Sequence, residues 1–380
     1  MRLTPNGALK EAGSGKVKLR TYLPDPRWAA RPGNEVAPPW LPYPDGWFCV
    51  GLSTEWKAET IQTVPFMGED IVIYRTKSGA IRAIHPYCPH LGAHLGAGGT
   101  VKGELLICPF HRFEFAPDGI CAHTPYGSPP KASLHLLHAK EAYGIVWVWH
   151  HHNDQPPSWD LPDFPEVGKH PLDYRKIDLA GHPQEVMENA VDYGHLPQLH
   201  KITFMGELFP MISEGPISHM GFRIARYVPL LGTQIYDTTI HMMGIGGSRL
   251  ILETPRLQIR TAVFALPTPI APWRMRLTLA ASVEAPEPSW LPGPIRRLAR
   301  SQIEKTLRHS FLWAIVKDVY KDFPLWHHKK YHHHPRLNSG DGPIGKLRGW
   351  AQQFYPLSSV ALIETSSNYA DGDPTPTTRP

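Results

Sequence analysis

The 380 residues include 42% hydrophobic side chains, enough to fill two domain cores, and the net charge of +5 comes without a long basic run. So mild an excess gives no case for nucleic acid, although it suits an acidic electron-transfer partner. Four cysteines argue against a disulfide framework and for a reducing, cytoplasmic setting, and no apolar stretch is long enough for a transmembrane segment.

Residues 1–40 are rich in Pro, Gly and charge, and Met1 to Lys18 has no apolar core, so a loose arm is expected rather than a secretory leader. From Trp47 the pattern changes. Phe48-Cys-Val-Gly-Leu52, Asp70-Ile-Val-Ile-Tyr-Arg75, Ala80-Ile-Arg-Ala-Ile84 and Gly144-Ile-Val-Trp-Val-Trp149 are short β-rich runs cut by Gly and polar turns. They predict a small antiparallel sheet domain over 41–152, closed by His150-His-His152 in a turn. Cys49 and Cys121 are expected to be buried free thiols.

Inside that domain stand two pairs of metal ligands, Cys88-Pro-His90 and Cys108-Pro-Phe-His111. Two thiolates and two imidazoles on two short loops are what a Rieske-type [2Fe–2S] cluster takes, two Cys on one iron and two His on the other. Neutral imidazoles in place of thiolates leave the cluster less negative and raise its potential. Zinc is the competing metal, but its pairs are usually spaced Cys-x-x-Cys or His-x₃₋₅-His. Gly92, Gly96, Gly98, Gly99 and Gly119 let the loops turn tightly, and Pro89 and Pro109 stiffen them.

A Pro-rich linker over 153–169 leads to a second domain over 170–358 with a metal sequence of its own. Glu188, Asn189, Asp192, His195 and His200 follow closely on one another. On an α-helix, 188, 192 and 195 share a face, while His200 lies off that stripe and Pro197 is expected to bring it round. Two histidines and a carboxylate with open positions form the facial triad of oxygen-activating ferrous sites. Zinc competes here too, but it has no redox chemistry to offer beside a one-electron cluster. The carboxylate must come from far along the chain. Asp318 and Asp322, four apart near the end of a helix expected over 295–320, are not separable by helical phase.

The remaining features have plainer readings. His327-His328 and His332-His-His334 are expected on a solvated basic segment, and Trp290 to Arg300 as an amphipathic helix start. Phe204-Met205, Leu208-Phe-Pro-Met-Ile212 and Met242-Met243 suggest walls of a pocket for a large apolar molecule. Residues 359–380 are expected to be an unstructured tail.

Both motifs resemble the Rieske-type non-heme iron oxygenases. Cys88-Pro-His-Leu-Gly-Ala-His94 with Cys108-Pro-Phe-His-Arg-Phe-Glu-Phe115 follows the family's cluster pattern, departing at Arg112 and Phe113, where Gly-Trp is usual. Glu188-Asn-Ala-Val-Asp192-Tyr-Gly-His195-Leu-Pro-Gln-Leu-His200 looks like its iron motif. Asp322-Phe-Pro-Leu-Trp326, Gly340-Asp-Gly-Pro-Ile344 and Arg348-Gly-Trp-Ala-Gln-Gln-Phe-Tyr355 are similar to one branch. That branch includes the oxygenases of 3-ketosteroid 9-alpha-hydroxylase, cholesterol 7-desaturase and aminopyrrolnitrin oxygenase. The resemblance implies an α+β fold: an antiparallel Rieske domain followed by a helix-grip catalytic domain. It further implies Fe(II) on His195, His200 and Asp322, with Asp192 as the carboxylate bridging to a neighbour's cluster in a head-to-tail homotrimer. O₂ would be the co-substrate. Electrons would come from NAD(P)H through a ferredoxin or ferredoxin reductase. The implied reaction is mono-oxygenation of a hydrophobic, steroid-like or polycyclic substrate, with desaturation or oxidative cyclisation as variants. The alternatives outside the family are a Rieske electron carrier fused to a lipid-binding domain, and a structural zinc protein.

Overall fold

A computed structural model describes residues 41–164, 172–229 and 231–356. The expected arm over 1–40, the tail over 359–380 and part of the linker lie outside the described residues.

Eleven strands between Gly46 and His150 form three antiparallel sheets of three, four and four strands. The runs singled out by composition lie in the strands Gly46–Leu52, Glu69–Arg75, Ile81–Ile84 and Ile145–His150. Gly46–Leu52 and Ile145–His150 pair antiparallel and are almost wholly buried. Cys49 and Cys121 are buried and free, and burial pushes the Cys49 thiol up to about 12.

The second unit is one seven-stranded antiparallel sheet. Five strands, from Thr203–Glu214 to Ile259–Ala271, each pair with the next, and Arg274–Glu284 continues the meander. The exception is Asp173–Ala180, first in sequence, which pairs with Arg274–Glu284 at the far edge. The chain must therefore cross the whole sheet between 180 and 203. That crossover carries helix α1 (Pro183–Val191) and a short π turn, Leu196–His200.

Side chains alternate across the strands, as a two-residue period requires. Met275, Leu277, Leu279 and Ala281 pack on one face against Val186 and Met187 of α1 and Leu312 of helix α2 (Gly293–Val319). Phe323 and Trp326 of α3 (Phe323–His328) and Leu347 and Trp350 of α4 (Ile344–Ala351) join the same core. Phe264, Leu266 and Ala280 face the other way, onto Trp47, Cys49, Leu52, Trp147 and Trp149 of the N-terminal unit. Three layers result, helices on sheet on N-terminal sheets. Lys176 pairs with Glu55 at 2.6 Å, and Thr268 Oγ1 donates to the Cys49 carbonyl at 2.6 Å across the junction.

The expected pocket walls divide. Met242 and Met243 are core residues, whereas Met205, Leu208 and Ile212 are exposed on the edge strand Thr203–Glu214. No described helix is long and apolar enough to cross a membrane.

Contact across the junction is close at Gly246, where an added Cβ would lie 2.0 Å from the Trp47 carbonyl oxygen. Backbone cannot rotate away as a side chain can. Gly246→Ala is expected to cost about 1–3 kcal/mol of stability, measured by chemical denaturation; an unchanged midpoint would show that the layers separate freely.

Candidate metal centres

The two cluster loops are built alike. Cys88 N–H donates to the Ala93 carbonyl, five residues on, and Gly92 N–H returns to the Cys88 carbonyl, both at 2.9 Å. Cys108 N–H donates to the Phe113 carbonyl at 2.9 Å, and Arg112 N–H returns to the Cys108 carbonyl at 3.2 Å. The fourth residue after each cysteine has positive φ: Gly92 at +71° and Arg112 at +60°. A left-handed backbone explains why glycine is usual at position 112. Phe113, in place of Trp, stacks on His90 at 4.3 Å and 15°.

Cys88 and Cys108 are buried beside one another, and burial pushes the Cys88 thiol up to about 11. His90 and His111 stand together with ring centroids 4.8 Å apart. Among the described residues, the sets of three or more metal-binding side chains whose ligand atoms lie within 4.8 Å of one another do not include these four. A tetrahedral zinc would draw its ligands to one point. A sulfur pair and an imidazole pair suit two irons instead. Around the imidazoles Tyr87, Leu91, Phe110 and Tyr126 are each more than half exposed, an apolar collar.

Along the crossover, α1 starts at Pro183 with His182 as its cap: His182 Nδ1 accepts from Gln184 N at 3.2 Å, and Glu185 Oε2 accepts from His182 N at 3.1 Å. It ends at Val191, because Asp192 turns extended (φ −79°, ψ 110°). The expected common helical face for Glu188, Asp192 and His195 is therefore not formed. Asp192 Oδ1 instead accepts the Gly194 and His195 N–H groups at 2.8 and 3.2 Å, a turn typical of Asp. The π turn Leu196–His200 follows, and Lys201, at φ +60°, closes it with its N–H on the Leu196 carbonyl. In a π turn residues five apart stack as residues four apart do in an α-helix. That brings His195 and His200 together, with ring centroids 5.0 Å apart.

Asp322 stands at the start of α3, yet its side chain makes no cap hydrogen bond. Its Oδ1 lies 3.3 Å from His200 Nε2 instead. Ligand atoms of His195, His200 and Asp322 all fall within 4.8 Å of one another. Asp322 and His200 are buried, and Asp322 Oδ2 and His200 Nδ1 have no hydrogen-bond partner. A buried carboxylate left this way is costly unless a cation joins it. The residues fit a metal ion.

Asp318 is occupied elsewhere. It pairs with Arg226 on strand Ile217–Val228 and with Lys321 at 3.0 Å. Burial alone would raise its carboxyl, but those two cations outweigh it and hold the group below the usual range. Asp192 Oδ2 lies 3.4 Å from His195 Nδ1. Here too burial opposes the charged form, and His195 with the two backbone N–H groups prevails, leaving the Asp192 carboxyl depressed.

Glu188, near the end of α1, belongs to a buried network. Its Oε2 accepts from Arg348 of α4 and its Oε1 from Gln184, both at 2.9 Å. Gln184 in turn donates to Tyr331 at 2.7 Å and accepts from Tyr355 at 2.8 Å. Spacing alone gave Glu188 no partner, because Arg348 lies 160 residues away. His327, expected on a solvated segment, is buried.

The Rieske [2Fe–2S] domain family matches residues 46–139, and the 3-ketosteroid 9alpha-hydroxylase C-terminal domain family matches 148–355, more than half of the chain. The chain is a Rieske-type non-heme iron oxygenase. Among its relatives is the cholesterol 7-desaturase of Bombyx mori, 28% identical over 90% of this oxygenase and 75% of the relative. The probable 3-ketosteroid-9-alpha-monooxygenase oxygenase component of Rhodococcus rhodochrous is 26% identical, over 84% and 82%. Dicamba monooxygenase shares the fold, with a TM-score of 0.61 at 14% identity over 85% of this oxygenase and 98% of that chain. The NdmA protein of Pseudomonas putida CBB5 gives 0.59 at 16% identity, over 85% and 92%.

The positive φ at Arg112 sets a test. Arg112→Gly is expected to keep cluster loading at the wild-type level. Arg112→Val should strain the loop by about 1–3 kcal/mol and lower iron and acid-labile sulfide. Equal loading in both variants would contradict the backbone reading.

Proposed function

We propose that this oxygenase uses O₂ to oxidise a hydrophobic, steroid-like substrate at a mononuclear Fe(II) held by His195, His200 and Asp322. The observation that carries this is the convergence of those three side chains, two of them buried with unpartnered atoms, in a chain that also bears Rieske loops. Iron bound there would supply the oxygen and one-electron chemistry that side chains lack.

The chain's own residues have separable tasks. His195 and His200 offer neutral nitrogen donors, and Asp322 offsets part of the metal's charge. Phe323 and Trp326, buried beside Asp322 in sequence and in the core, help keep bulk water from that end of the site. Asp192 holds the His195 ring and backbone while its own side chain stays partly exposed, within reach of a neighbour. The collar of Tyr87, Leu91, Phe110 and Tyr126 is a surface suited to burial against another protein. Both features favour a head-to-tail trimer, a heterologous contact that closes into a ring. Each cluster would then serve the neighbouring subunit's site. Electrons would arrive singly from NAD(P)H through a ferredoxin or its reductase, in a reducing cytoplasm that suits four cysteines with no disulfide between them.

Insertion of one oxygen atom into substrate, with the other leaving as water, consumes two such electrons. The match to the hydroxylase family over 148–355 favours that outcome. Removal of two hydrogens from substrate needs the same electrons, and the desaturase relatives favour it as a second reading.

Turnover of a panel of sterols and 3-ketosteroids with O₂ and a surrogate ferredoxin system is the test. Gain of one oxygen in a product indicates hydroxylation, and loss of two hydrogens desaturation. No product from any panel member would contradict the proposed substrate class. Asp192→Asn is expected to keep both metal centres but slow turnover by about 10–100-fold. Near wild-type product formation would remove Asp192 from the electron path.

A further inference from the structure

A third set of metal-binding side chains lies away from both iron centres. Strand Gly46–Leu52 pairs with Ile145–His150 with Gly46 opposite His150. That register places Asp45, just before one strand, beside His151 and His152, just after the other. The Asp45 side chain is largely buried. Its Oδ2 lies 2.7 Å from His152 Nδ1 and 3.7 Å from His151 Nε2, while its Oδ1 accepts the His152 N–H at 2.8 Å. The two imidazoles stack, with centroids 4.5 Å apart and planes 21° apart. One ligand atom from each of the three residues falls within 4.8 Å of the others.

We propose that Asp45, His151 and His152 form a surface site for a divalent transition metal of the zinc class. One carboxylate and two imidazoles suit zinc, copper or nickel far better than magnesium or calcium, which prefer all-oxygen shells. His152 is exposed, so water can complete the coordination. His150 takes no part: its Nδ1 is on the Pro44 carbonyl at 3.1 Å, and its ring packs edge-on to Tyr43 and Phe66. His151 Nδ1 now accepts the Asn153 N–H at 3.1 Å. Binding through Nε2 moves the ring proton to Nδ1 and turns that N–H over to water, a modest exchange at an exposed turn.

The site's position gives it a consequence. A metal here ties the start of the first strand to the end of the strand it pairs with, next to the point where Asp45 N–H donates to the Phe354 carbonyl at 2.8 Å. Zinc would act as a staple within the N-terminal unit, apart from the oxygen chemistry.

The experiment uses full-length holoenzyme with its iron loaded and adventitious metal removed by a weak chelator. Titration with Zn²⁺ by calorimetry is expected to show one saturable site per chain beyond the iron complement, with a raised thermal midpoint. Asp45→Asn and the milder surface change His152→Gln should each weaken that uptake by more than about tenfold, with the cluster's EPR signal unchanged. Uptake should persist in His195→Ala, which separates it from zinc displacing iron at the ferrous site. No saturable uptake by wild type, equal uptake in His152→Gln, or loss of uptake in His195→Ala alone would overturn the proposal.

Discussion

The pairing of the first strand of the catalytic sheet with its last constrains everything else in that domain. Because Asp173–Ala180 and Thr203–Glu214 lie at opposite edges, the chain has to cross the sheet face between them. The crossover is bound to that face by Val186, Met187 and Val191 in the core. It ends at the far edge, where Asp192, His195 and His200 are delivered on successive turns. Helix α2 packs on the same face, so the segment after it brings Asp322 to the same point. Breaking the strand pairing would scatter the set.

A second constraint operates in the cluster loops, where identical backbone hydrogen bonds follow two cysteines twenty residues apart in sequence. Each cysteine N–H and carbonyl is satisfied within its own loop, so the backbone of these buried residues needs no partner from elsewhere. The loops point the imidazoles outward into an apolar collar and the thiols inward into a core that includes Leu95, Leu106 and Phe115. Such an arrangement exposes the imidazole end to an electron partner.

Much of this was legible in the chain. The cluster loops, the early strands and α2 announce themselves through ligand types, two-residue alternation and helical periodicity. His195 and His200 meet as expected, through a turn that contains Pro197, but the helical face expected for Glu188, Asp192 and His195 is not there. Helical phase for 188, 192 and 195 assumed a helix that runs on, whereas Asp192 breaks it, and the step to His200 is a π turn rather than a simple bend. Asp318 and Asp322 could not be told apart locally, since what separates them is Arg226, 92 residues upstream, which draws Asp318 away. Asp45 was invisible as a partner of His151 and His152 for the same reason: strand register, not sequence distance, joins them. Met205, Leu208 and Ile212 read as pocket walls only because hydropathy says nothing about which face of an edge strand is covered.

The central claim is a ferrous centre on His195, His200 and Asp322 beside a separate two-iron cluster. Iron content with EPR of the reduced, nitric oxide-treated protein tests it most directly, comparing wild type with Asp322→Ala and Asp318→Ala. Wild type and Asp318→Ala should hold about three irons per chain with a ferrous–nitrosyl signal, while Asp322→Ala should keep only the cluster's two. A nitrosyl signal that survives Asp322→Ala but vanishes in Asp318→Ala would contradict the assignment.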